Sequence, residues 1–322
     1  RVYDAYGPSA VFGRSYGWMS TGKVNAAINL QQRLLNLRGG FIQCINSYST
    51  AAISRILPYV VGTGDPRSTS WDVVMKHSER VVLWGCDPIV TNDIDWATTL
   101  HENAEGFRRV KAAGIPVIAV NPLKPDTAEF LGEQCEWISP KPNTDVAMML
   151  AMMHELETKN LVDREFIRKY TKGYDKFLPY LLGQTDGVAK TPEWAEGITG
   201  VAAEQIRLLA HLMREKRSML MGGWGIQRAE HGEQVHWAMV VLAAMCGHIG
   251  LPGGGFGFTY HYSNGGAATS EAPAFPGISA NPKGKNTGMA WEGHSVATIP
   301  LARFTDCFLN PGKTIDYNGR KI

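Results

Sequence analysis

The stretch DWATTLHENAEGFRRVKAAGIPVIAVN, residues 95–121, decides the fold. Residues 95–114 space apolar side chains at helical intervals and close on a glycine, and IPVIAVN, residues 115–121, is a short apolar run. A helix followed by a strand that is apolar on both faces is the repeating unit of a parallel sheet covered by helices.

The same alternation extends in both directions, from about Trp71 to His248. Upstream, SWDVVMKHSE reads as a helix capped by Ser70 and RVVLWG as a strand. Downstream, CEWISP is a third strand, and NTDVAMMLAMMHELETKN is an amphipathic helix capped by Thr144 or Asn143. Helical segments DREFIRKYT, DKFLPYLLG, TPEWAEGI and VAAEQIRLLAHLMREK then lead to the strand SMLMGG and the helix GEQVHWAMVVLAAMCGHIG. The expected fold class is α/β: a doubly wound, mostly parallel, Rossmann-like sheet over residues 61–248, with parts of a second α/β domain formed by the two flanks. Residues 1–60 hold one good helix, TGKVNAAINLQQRLLNLRGG, and a hydroxyl cluster. Residues 249–322, rich in Gly, Pro, Ser and Asn, read as loops returning to pack with 1–60.

With 322 residues, 44% hydrophobic and 19% charged, the chain has the composition of a globular protein with a large core. A net charge of +2 gives no electrostatic case for nucleic acid or an anionic membrane as partner. No apolar run reaches the roughly 18 residues a membrane span needs. The five cysteines, Cys44, Cys86, Cys135, Cys246 and Cys307, are scattered and never in CxxC spacing, so they show neither a disulfide framework nor a zinc or iron–sulfur pattern. The opening RVYDAYGPSA lacks an initiator Met and a signal-peptide profile, and both ends read as cuts through a longer protein.

In a doubly wound sheet, ligands bind beyond the carboxyl ends of the strands. Those ends carry Trp84, Gly85, Cys86 and Asp87; then Asn121 and Pro122; then Asn143, Thr144 and Asp145; then Gly222, Gly223, Trp224, Gly225, Gln227 and Arg228. The set suits a purine nucleotide: a carboxylate accepts from base N–H groups, tryptophan stacks, and arginine neutralises phosphate. The plainer reading is that strand-end loops are polar because buried loops would strand backbone groups. LWGCDP lacks GxGxxG, and no GxxxxGK[ST] occurs, which argues against NAD-type and P-loop sites. HGEQVH places its histidines i, i+5, the wrong spacing for HExxH. LPGGGFG, residues 251–257, reads either as a helix stop with a turn or as close backbone approach to a ligand.

The ordered series SYGW, NSYSTAA, WGCDP, VNP, SPKPNTDVAMML, GGWGIQRAEHGEQ and LPGGGFGFTYHYSNGG resembles the dimethyl sulfoxide reductase family of molybdenum enzymes, in its bacterial S-oxide and N-oxide reductase branch. The resemblance runs through essentially the whole chain, which looks like an internal section of a longer protein. It implies a bis(molybdopterin guanine dinucleotide) molybdenum cofactor, held by a serine oxygen in the motif that aligns with SYSTAA; the matching residue is Ser49. A hard alkoxide ligand suits oxygen-atom transfer. SYGW implies Tyr16 and Trp18 as hydrogen-bond donors to the transferred oxygen. The reaction implied is two-electron reduction of an S-oxide or N-oxide at Mo(IV) with release of water, and Tyr16 tilts the reading towards S-oxides; trimethylamine N-oxide is the alternative. The dinucleotide residues carried over are Trp84, Asp87, Asn121, Pro122, Asp145, Gly223, Trp224, Gly225 and Arg228, with Asp145 placed on guanine. The resemblance further implies no iron–sulfur cluster in this chain, a c-type cytochrome or quinol-linked reductase as electron donor, and a periplasmic location with cytoplasmic exceptions. Two other readings compete: a guanine-dinucleotide-binding fragment without catalysis of its own, and a nucleotide enzyme without molybdenum.

Overall fold

The computed structural model describes residues 1–15, 26–64, 68–95, 100–262, 266, 298–317 and 320–321. The chain divides into two compact units. The first comprises residues 1–51, 96–99 and 270–322; the second comprises residues 52–95 and 100–269.

In the first unit, strand β1 (Gln43–Ile45) follows a helix over Ala27–Leu37. The second unit holds β2 (Arg80–Trp84), β3 (Val117–Val120), β4 (Cys135–Ile138), β5 (Ser218–Gly222) and β6 (Gly255–Gly257). The first unit resumes with β7 (Thr298–Pro300), β8 (Asp316–Tyr317) and β9 (Arg320–Lys321). Strand β1 pairs in parallel with β7, Gln43 opposite Thr298, and β8 and β9 form a short antiparallel pair.

The five strands of the second unit form one sheet in the order β4-β3-β2-β5-β6, every pair parallel. Side chains alternate between its faces with period two. Val82, Trp84, Ile118, Val120, Ile138 and Leu220 enter one core, beneath the helices Ala51–Val61, Asp145–Thr158, Ala203–Glu215 and Glu233–Met245. Val81, Leu83, Val117, Ala119, Met219 and Met221 enter the other, beneath Trp71–His77, Glu102–Ala112 and Asp126–Leu131. Each fully buried Leu, Val or Met contributes about 1.5–3 kcal/mol of apolar transfer, so the two covered faces are what hold the sheet. The α/β class and its mostly parallel, helix-covered sheet therefore stand as the alternation predicts.

Four local readings change. The helix after Asp95 begins only at Glu102 among the described residues, and the Leu100 carbonyl accepts from the Asp95 N–H (3.1 Å) rather than from a helical partner. The helix Asp145–Thr158 is not amphipathic: Met148, Met149, Ala151, Met152, Met153 and Leu156 are all buried, since the helices Pro192–Thr199, Ala203–Glu215 and Glu233–Met245 pack around it. Ser70 and Thr144 occupy N-cap positions without capping through their side chains; Thr144 Oγ1 donates instead to the Lys141 carbonyl (2.6 Å), and Asn143 adopts a left-handed φ of 64°. The glycine-rich LPGGGFG is not simply loop, for its last three residues are the edge strand β6 beside β5. No helix of the described residues is long and apolar enough to cross a membrane.

Candidate functional site

Chain order runs outward from β2 to β3 and β4 on one side, then from β5 to β6 on the other. The reversal falls between β2 and β5, the position at which open α/β sheets leave a ligand crevice beyond their carboxyl ends. The loops lining it are WGCDP after β2 and GGWGIQR after β5.

Backbone bonds tie each loop to the neighbouring strand. Gly85 N–H reaches the Val120 carbonyl and Gly223 N–H reaches the Trp84 carbonyl, each at 2.8 Å. A Cβ on Gly223 would lie 2.0 Å from the Gly85 oxygen, so only glycine allows this approach. Gly225 is different: it is exposed, and a Cβ there would meet nothing within 4 Å. That open space is where a ligand can lie against the backbone.

Trp84 and Asp145 form the buried polar centre of the crevice. The indole Nε1–H donates to Asp145 Oδ1 at 2.8 Å, with Trp84 0% and Asp145 6% exposed. Burial raises the Asp145 pKa, while the Trp84 donor and its own backbone N–H pull the other way. Asp145 is also the first residue of a 14-residue helix whose N-cap makes no side-chain bond, leaving first-turn N–H groups and the positive end of the helix dipole beside it.

Trp224 packs edge-on to His261 at 5.0 Å and against Tyr262 at 4.2 Å between ring centroids. Its backbone N–H donates to His261 Nε2 (3.1 Å), and the preceding carbonyl, on Gly223, accepts from His236 Nε2 (3.1 Å). Arg228 is exposed beyond this aromatic group. The Asn121 and Pro122 carbonyls accept from Trp137 Nε1 and Ser139 Oγ, both at 2.8 Å, which fixes the turn after β3.

Asp87 has a structural task. Its Oδ2 accepts from the Asp126 N–H (2.9 Å), and its Oδ1 accepts from the Thr127 N–H (2.9 Å) and Thr127 Oγ1 (2.5 Å). It thereby satisfies the free amides at the start of the helix Asp126–Leu131.

Ser49 belongs to the first unit and is half-buried, in a turn that leads into the helix starting at Ala51. Around it, Ser47 Oγ lies 3.2 Å from Thr50 Oγ1 and accepts from the Thr50 N–H (3.3 Å), while the Ser47 carbonyl accepts from the Ala51 N–H. Ser47 and Thr50 are the turn residues of this segment. Tyr16 and Trp18 lie outside the described residues.

Sequence reasoning assigned no role to three contributors: Gln227 stood only among the strand-end residues, His236 only in the rejected HGEQVH pattern, and His261 only within the family motif. His236 and His261 hold the Gly223–Trp224 peptide, and Gln227 Oε1 accepts the Ile53 N–H at 2.8 Å, capping the helix that follows Ser49. The one signal for Gln227 and His261 lay in their position inside GGWGIQRAEHGEQ and FTYHYSNGG, while His236 falls two residues beyond the first of these and has no productive spacing motif.

Chemically, the edge offers a buried carboxylate for N–H donors, an aromatic wall, an exposed guanidinium and a free backbone face, the needs of a base joined to a diphosphate. The molybdopterin oxidoreductase family model matches residues 1–311. The dimethyl sulfoxide/trimethylamine N-oxide reductase of Cereibacter sphaeroides is 47% identical over 322 residues, 99% of this chain and 39% of that protein. Its namesake from Rhodobacter capsulatus is 46% identical over 100% of this chain and 39% of its own length, as is the trimethylamine-N-oxide reductase of Haemophilus influenzae. The chain thus spans about two fifths of these relatives. Among solved structures, acetylene hydratase from Pelobacter acetylenicus superposes with a TM-score of 0.51 at 19% identity, over 77% of this chain and 31% of that one, a likeness of fold alone. A family match over residues 1–311 and relatives 46–47% identical along the whole chain settle the family: the chain belongs to the molybdopterin oxidoreductases, in the dimethyl sulfoxide reductase family.

Proposed function

We propose that this chain is a section of a molybdenum-dependent oxotransferase that reduces S-oxides and N-oxides, with S-oxides preferred. The observation that carries the reading is identity of 46–47% along the whole chain to proteins named as dimethyl sulfoxide/trimethylamine N-oxide reductases. The equally similar Haemophilus influenzae protein, named for trimethylamine N-oxide, keeps the N-oxide alternative in view. Tyr16 is the sequence feature that favours S-oxides.

The residues of the crevice fit the guanine dinucleotide form of the cofactor. Asp145 is a carboxylate already kept in place by one N–H donor and disfavoured by its burial, so a base edge carrying two more N–H donors relieves it. Guanine has such an edge. Gly225 leaves room for the ligand, Trp224 offers a face, and Arg228 a phosphate partner. Asn121 and Pro122 shape the neighbouring turn.

When bound, the cofactor supplies the oxygen-atom acceptor and the two-electron couple. The chain's own contribution would be positional. Ser49 Oγ would hold the metal as an alkoxide, its proton displaced by the cation. Tyr16 Oη would donate to the substrate oxide and pass a proton to the leaving oxygen, and Trp18 Nε1–H would hold that oxygen. We further read the full-length protein as periplasmic, supplied with electrons by a c-type cytochrome or a quinol-linked reductase, and without an iron–sulfur cluster in this section.

The test is metal analysis and kinetics on the full-length protein with dimethyl sulfoxide, methionine sulfoxide, biotin sulfoxide and trimethylamine N-oxide. Near-stoichiometric molybdenum and higher kcat/KM for the S-oxides are expected; a protein devoid of molybdenum would overturn the reading. Ser49→Ala should abolish reduction while far-ultraviolet circular dichroism is unchanged.

A further inference from the structure

The Gly223 carbonyl and the Trp224 N–H belong to one peptide group, and each is bonded to a different imidazole at 3.1 Å. A carbonyl only accepts, so His236 Nε2 must carry a proton. A backbone N–H only donates, so His261 Nε2 must be bare, and the neutral ring carries its proton on Nδ1. The two rings are therefore opposite tautomers, read from the backbone alone.

We propose that His236 and His261 act as a tautomer-locked clamp on this peptide, and that they are positioning residues for the dinucleotide, a role that rests on the cofactor reading above. The clamp answers a specific weakness. Gly223 frees the ψ side of the 223–224 peptide, so that on the chain itself only the φ of Trp224, at −88°, resists rotation of that plane. A flip would exchange the carbonyl and the N–H between the two rings and break both bonds at once. Holding that plane also holds the Trp224 ring against His261 and Tyr262, and sets where the backbone of Gly225 faces.

Both jaws are themselves fixed. His236, on the helix Glu233–Met245, is 0% exposed and packs edge-on to Phe258 at 4.8 Å. The His261 backbone is held where its carbonyl accepts from Thr91 Oγ1 (2.9 Å), and the preceding Tyr260 donates its hydroxyl to the Thr69 carbonyl (2.6 Å). The two rings have unequal tolerance for protonation. His236 would keep its donor when charged, but a charged His261 has no lone pair left for the Trp224 N–H. Burial, then the charge of His236 and of Arg228, hold His261 down to about 3, and burial holds His236 down to about 4. Neutrality is thus maintained through the whole range in which a free histidine titrates.

The test uses the full-length protein. With 15N-labelled histidine, NMR should show His261 as the Nδ1–H tautomer and His236 as the Nε2–H tautomer, neither titrating between pH 5 and 8. Identical tautomers, or a midpoint near 6.5 for His261, would overturn the clamp. In parallel, guanine released by acid hydrolysis is measured per protein. His261→Phe should lower it about fivefold, the loss of one such bond. His261→Gln, whose Oε1 can stand in for the bare Nε2, should restore most of it. Full guanine content in His261→Phe, or no rescue by His261→Gln, counts against the positioning role. If His261→Phe fails to fold, the NMR result and the Gln variant still decide. A parent protein that carries no guanine nucleotide would sink the cofactor reading instead, and the tautomers would then decide the clamp on their own.

Discussion

Asp145, the proposed partner of guanine, shows at the scale of one residue what burial does to a common side chain. Its ionised form is costly in place, since burial raises its pKa and one indole N–H only partly offsets that. A carboxyl raised on folding subtracts stability as pH climbs from its unfolded towards its folded value. Asp145→Asn removes that cost and keeps an oxygen for Trp84 Nε1–H. Its melting temperature at pH 7 is expected to equal or exceed the parent's, while guanine content falls about tenfold or more through loss of a charged acceptor. The two glycines of the neighbouring loop should part company in the same way. Gly223→Ala forces a Cβ onto the Gly85 carbonyl and should cost about 1–3 kcal/mol in urea unfolding. Gly225→Ala meets only open space, so it should stay within about 0.5 kcal/mol of the parent yet still lower guanine content. Residue type alone had grouped these positions, and Asp87 with them. Distance separates them, because Asp87 spends its oxygens on the amides of Asp126 and Thr127.

At the scale of elements, the helices that matter begin at loops rather than at sequence-local caps. Asp87 caps Asp126–Leu131 from the β2 loop, and Gln227 caps Ala51–Val61 from the β5 loop. In contrast, Asp163 and Thr191 cap their own helices in the usual local way, accepting from Phe166 and Trp194. A remote cap ties helix start to loop position. Gln227→Ala should therefore destabilise by about 1–2 kcal/mol and speed amide hydrogen exchange across residues 51–57, leaving exchange in Asp145–Thr158 unchanged. Uniform exchange throughout would count against a local cap. Strand periods and the helix-to-strand alternation were readable because both depend on neighbours along the chain. The remote caps were not, since their partners lie 40 and 174 residues away.

For the molecule as a whole, buried neutral histidines set the acid limit. His236 and His261 are held to about 4 and about 3, and His154 and His248 are lowered as well. Their unfolded forms take up protons below about pH 6.5, whereas the folded forms do not. Stability is thus complete above that pH and falls as pH drops from there towards the folded values. His236 and His261 together should cost about 2–4 kcal/mol between pH 7 and pH 5, seen as a lower urea midpoint. Arg228 facing His261, and Arg214 and Arg217 facing His248, push in the same direction, while Glu79 and Asp163 oppose it at His248. The lowered carboxyls of Glu79, Asp186 and Glu193 lose their stabilising contribution only at more acid pH.

By itself the sequence determined the α/β class, the parallel sheet and the set of residues at its carboxyl edge. These follow from period and order: β-branched apolar runs such as RVVLW and IPVIAV, short and bounded by glycine or asparagine, read as buried strands, and a doubly wound sheet gathers the residues that follow them at one edge. Only the tertiary structure decided what each of those residues does. It gave Trp84 to Asp145, Asp87 to a helix start, and one peptide to two histidines of opposite tautomer. The reason is that a hydrogen bond is specified by distance and donor direction between groups far apart in sequence, and no local pattern records either.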